Sequence, residues 1–142
     1  MSKARLLKDL GDYLLLWLNT RAEEEELEKL DDVLTGQTAT LGTAPVTPTL
    51  FLALPSRIVE DKNFTIYHAQ LGIVFPSPTP EQAEEWGDKW EDILEDLLRN
   101  NCELGGLGHI SSSDAIESAY SPAVGFVTVE FEVEVDRYAE EA

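Results

Sequence analysis

From Val127 to Asp136 the chain alternates strictly: Val127, Val129, Phe131, Val133 and Val135 are apolar, and Thr128, Glu130, Glu132, Glu134 and Asp136 between them are polar. Successive side chains of a β-strand point to opposite faces, so a period of two is the mark of a half-buried strand. One face must sit on a core, and the other then carries Glu130, Glu132, Glu134 and Asp136 as a ladder of negative charge. Such a strand needs neighbours beside it and a second layer over its apolar face. The chain is therefore expected to build a sheet covered on one side.

The covering layer is readable too. Residues 3–18 place Leu6, Leu7, Leu10, Tyr13, Leu14, Trp17 and Leu18 at helical spacing, which gives one apolar face. The acidic run from Glu23 continues in helical style, with Leu27, Leu30, Val33 and Leu34 on one side, and Gly36 ends it. A later helix has the clearest start: Thr79 as N-cap, Pro80 at the first helical position, and Gln82 to complete a capping box. Its apolar stripe is Ala83, Trp86, Trp90, Ile93, Leu94 and Leu97. At that spacing the two tryptophans read as core side chains and not as a stacking platform.

Between the helical segments, Leu50–Leu54 suits a buried strand closed by Pro55, followed by a polar, hairpin-like stretch to Lys62. Residues 63–75, rich in β-branched and aromatic side chains, suit a longer strand. After the glycines at 105, 106 and 108, residues 115–120 suit another. The expected fold is α+β in the order α-α-β-β-α-β-β: a four-stranded antiparallel or mixed sheet with helices on one face. Residues 1–142 form a single domain, with an extended Thr/Pro arm at 35–49 and a short acidic tail at 139–142. Leu41, Val46, Thr47 and Thr49 of the arm are hard to explain as core and are expected to contact a partner subunit.

Charge narrows the function. The chain has 28 acidic and 10 basic residues, net −18. A surface of that sign repels nucleic-acid phosphates and anionic membranes. The acids cluster: seven in residues 23–32, eight in 81–98 and six in 130–142. Solubility or a salt-loving host would also produce such a composition. Bases gather at the start of the chain, where Lys3, Arg5 and Lys8 offer a contact surface opposite in sign to the ladder. The leucines after them resemble an export signal only briefly. Asp9 and Asp12 interrupt the run, and no small-residue cleavage site follows. With one cysteine, Cys102, the fold cannot rest on an internal disulfide, and an intracellular origin is expected.

No arrangement of catalytic residues emerges. His109, Ser111–Ser113 and Asp114 hold the letters of a hydrolase triad within six consecutive residues, whereas a triad draws its members from separate elements. Neither His68 nor His109 has partners at metal-binding spacing. His68 suits a satisfied polar position at a sheet edge. Gly105-Gly106-Leu107-Gly108 lacks the Gly-Lys-Ser/Thr ending of a phosphate loop. No catalytic, metal or cofactor-binding residue is expected.

The layout of the chain resembles that of the tail terminator family. The shared order is an N-terminal helix, an extended arm, a strand ending at Leu54-Pro55, a long strand from Phe64 to Phe75, a capped helix and a final hairpin. These are small proteins of tailed viruses of bacteria and archaea, related in fold to other tail-completion and head–tail joining proteins. The resemblance spans most of residues 3–138 and is one of layout. It implies a non-enzymatic virion protein, made in the host cytoplasm and placed at the head–tail junction. It implies a hexameric ring that caps the tail tube, meets the head connector or adaptor, and lets DNA pass without specific binding. A head-completion or minor tail protein would share the fold. A small acidic binding module, such as a DNA-mimicking inhibitor, is the alternative of another class and would be monomeric.

Overall fold

The alternating segment forms a long strand paired on both sides. A computed structural model describes residues 2–35, 47–60 and 63–136 of the chain. In it β6 (Val124–Asp136) runs antiparallel to β3 (Phe64–Pro76) in unbroken register, from Phe64 opposite Asp136 to Pro76 opposite Val124. The other edge of β6 is shared by two short antiparallel strands, β4 (His109–Ser113) and β5 (Glu117–Ser121). The free edge of β3 takes β2 (Thr49–Glu60), and β2 carries β1 (Asp32–Thr35) parallel to itself. The result is α+β with two helices, α1 (Lys3–Glu24) and α2 (Pro80–Asn100), and a six-stranded sheet among the described residues. Six strands replace the four expected, and the order α-β-β-β-α-β-β-β replaces α-α-β-β-α-β-β.

Both helices lie on one face. Leu6, Leu10, Leu14 and Leu18 of α1 are at most 2% exposed, and they join Trp90, Ile93, Leu94 and Leu97 of α2 in one core. That core rests on Leu71, Ile73, Val127, Val129, Phe131 and Val133 of the two central strands. Burying a leucine contributes about 2 kcal/mol, so the four on one stripe are a large favourable term in docking α1 on the sheet. α2 starts as expected, with Thr79 Oγ1 accepting from Gln82 N at 3.2 Å. The capping box is only half made, because Gln82 Oε1 is buried without a partner. Trp90 is core, and half-buried Trp86 meets Phe75 edge-on at 6.3 Å.

The second helix expected from Glu23 does not form. α1 absorbs Glu23 and Glu24 and then stops, with Glu26 N donating to Glu23 O and Leu27 N to Ala22 O. Glu26 sits in the left-handed region at φ 60°, which completes a Schellman-type end. Leu27 and Leu30 are buried in the core by this turn and not by a further helix. Asn19 clamps the chain beyond it, donating to Leu30 O at 3.0 Å and accepting from Leu30 N at 2.7 Å. Val33 and Leu34 then fall in β1. Pro55 does not close β2 either: the register with β3 shifts between Ala53 and Ser56, and a proline without a donor is tolerated at such a bulge.

Candidate functional site

Among the described residues no helix covers the opposite face of the sheet, and the acid ladder stands on it. Glu130, Glu132 and Glu134 are half-buried and Asp136 is exposed. They lie on an interior strand flanked on both sides. Gln70, His68, Ile66 and Phe64 of β3 stand opposite Glu130, Glu132, Glu134 and Asp136 in turn. On the other side Ser112 faces Glu132 and His109 faces Glu134.

Glu130 is the anchored member. Its Oε1 accepts from Gln70 Nε2 at 2.9 Å and lies 3.2 Å from His68 Nε2. The Gln70 amide, and then His68, hold the Glu130 carboxyl below the usual carboxylate range. His68 is therefore satisfied, but its strand is interior and not the sheet edge expected of it.

Toward the other end of the same face the chemistry turns apolar. Phe51, Val74 and Val124 are buried in a second small cluster with Phe126 against it, separate from the core beneath the sheet. Leu34, 37% exposed, stands beside Phe51 across the parallel pair. Between the two regions lies a groove of about 470 Å³. Gly72 and Thr128 form its floor, Phe51 and Val74 its apolar wall, and Asp114 and Glu130 part of its acidic rim. With no side chain, Gly72 leaves the groove open above the β3–β6 pair.

Lys3, Arg5 and Lys8 are exposed on the first turns of α1, in the helical layer. Arg5 lies 4.0 Å from Asp9 and Lys8 3.4 Å from Asp12, exposed pairs of the kind that contribute little. The arm is described only in part. Leu41 and Val46 lie outside the described residues, as does the tail at 139–142. Thr47 is half-buried and donates to Asp31 at 3.3 Å. Thr49 is 5% exposed as the first residue of β2 and donates to Thr47 O, so it belongs to the sheet and not to an exposed arm.

The apolar end of the outer face was missed from sequence. Phe51, Val74 and Phe126 sit in runs that are apolar on both sides, and only pairing separates the two faces. Ser111–Ser113 and Asp114 follow His109 along β4 and its exit, and the hydrogen bond of His109 goes to Glu103 at 2.7 Å. Among the described residues no helix is long and apolar enough to cross a membrane. Neither models of known protein families nor curated proteins yield a match to this chain.

Proposed function

We propose that the chain is a non-enzymatic virion structural protein, a tail terminator whose copies close into a ring between tail tube and head connector. One observation carries this reading: the acid ladder and the three bases that start α1 lie on opposite sides of the sheet. The acid ladder occupies the face opposite the helices, and Lys3, Arg5 and Lys8 project from the helical layer behind it. A ring is a head-to-tail assembly in which each subunit offers two different surfaces, and this subunit has two. Leu34 and Phe126, the accessible apolar side chains beside the ladder, would add burial that charge alone does not. In the closed ring, acids left facing the lumen would repel DNA and let it slide without specific binding.

Charge exchange tests the contact. Glu130, Glu132 and Glu134 are changed to Lys in one variant, and Lys3, Arg5 and Lys8 to Glu in another. Each alone is expected to lose self-association, and an equal mixture of the two is expected to recover it. Assembly unchanged in both variants would remove the proposed interface.

A further inference from the structure

We propose that Cys102, Glu103 and His109 form a binding site for one zinc-class divalent cation at the corner between α2 and β4. One ligand atom from each, the thiol sulfur, a carboxylate oxygen and an imidazole nitrogen, lie within 4.8 Å of one another. A tetrahedral zinc with bonds of about 2.0 Å to nitrogen and oxygen and 2.3 Å to sulfur separates its ligands by about 3.3–3.5 Å. The present limit of 4.8 Å is wider than that set, so the side chains must shift to close on an ion. Glu103 and His109 Nδ1, now 2.7 Å apart, need only open slightly to admit an ion.

The backbone that gathers these residues is built independently of any ion. Asn101 N donates to Leu97 O at the end of α2, and Ile110 N donates to Cys102 O at 2.7 Å, closing the loop. Leu104 is fully buried and pins the short 3₁₀ turn Leu104–Gly106 to the core. Gly105 takes φ 65°, and Tyr13 packs so near it that a Cβ there would come 2.5 Å from the ring. Tyr13 in turn hydrogen-bonds Asn101. The turn thus brings position 109 back beside 102 and 103, a proximity that residue spacing alone did not suggest.

The donors indicate the ion. A thiolate and an imidazole favour zinc over magnesium or calcium, which take oxygen. Three protein ligands leave the fourth position to water or to a group from a partner. Binding requires the thiolate, so it releases a proton and weakens as pH falls. Half-buried Cys102 and exposed Glu103 and His109 leave the ion a way in. The surrounding net charge of −18 raises the local concentration of any cation.

Cobalt(II) is the probe, titrated into the reduced chain and then displaced by zinc. Cys102 is the only cysteine, so a sulfur-to-cobalt charge-transfer band reports this thiol alone. The expected result is a saturable band at one equivalent, removed by zinc and absent in Cys102→Ser. Glu103→Gln and His109→Gln should each weaken binding at least about tenfold, since even residues behind the ligands matter by that much. Zinc should also protect the thiol of the unaltered chain from a thiol reagent, a readout that depends on no variant folding. Binding without the sulfur band would reveal cobalt scattered over surface carboxylates and overturn the proposal. Equal thiol reactivity with and without saturating zinc would overturn it as well.

Discussion

Glu130 Oε1 accepts from Gln70 Nε2 at 2.9 Å and lies 3.2 Å from His68 Nε2, which ties two central strands together on the face opposite the helices. The same contacts lower its pKa from an ordinary 4.5, with Gln70 the larger cause. A carboxyl lowered on folding contributes its stability fully above the unfolded value and loses it as pH falls through the folded one. The side chain is 46% exposed, so the amount is small and the titration itself is the sensitive readout. Carboxyl carbon NMR should show Glu130 titrating below the ordinary glutamate value. Gln70→Ala should raise its midpoint more than His68→Ala does. Glu130 titrating at or above the ordinary glutamate value would contradict the contact.

Glu26 holds a left-handed conformation at φ 60° in the turn that ends α1, among Glu23, Glu24, Glu25 and Glu28. Glycine is the residue that suits this position, and left-handed backbone costs other residues about 1–2 kcal/mol. Glu26→Gly should therefore stabilise the chain by about 0.5–1 kcal/mol, allowing for the greater freedom of glycine in the unfolded state. The urea midpoint should rise with the slope unchanged. A fall in midpoint would mean that the Glu26 side chain contributes something its exposure does not suggest.

Gly125 and Gly87 both lie against aromatic rings, yet their replacement should differ. A Cβ on Gly125 would come within 2.5 Å of the Phe75 ring, which is 2% exposed and has nowhere to go. Gly125→Ala should cost about 1–3 kcal/mol through overpacking. A Cβ on Gly87 would meet Tyr120, which is 43% exposed and free to swing outward. Alanine also favours a helix interior over glycine by about 1 kcal/mol, so Gly87→Ala should be close to neutral. Thermal melts of the two variants compare them directly, and equal losses would contradict the packing described.

How legible each element was depended on how local its cause is. The period of two in β6 and the Thr79-Pro80 start of α2 are written in adjacent residues, and both formed where expected. β1 was hidden because Leu27, Leu30, Val33 and Leu34 fit helical spacing, while the turn that breaks it rests on a glutamate where glycine would have signalled it. β4 was hidden because His109–Ser113 is mostly polar, and its pairing with β6 supplies what its composition lacks. Pro55 read as an end, and a bulge absorbs it. The acid ladder was legible as a stripe, but its partners were not. His68 and Glu130 are 62 residues apart, and only strand register brings them together.

The central claim is that copies of this chain join head to tail, with the ladder of one on the basic start of α1 of the next. Light scattering coupled to size exclusion, at low and high salt and over a range of concentrations, measures the assembled mass. A discrete closed oligomer near six times the 15.8 kDa chain is expected, as is a shift in its stability with salt. A monomer at every salt and concentration would contradict the ring and favour a monomeric acidic module.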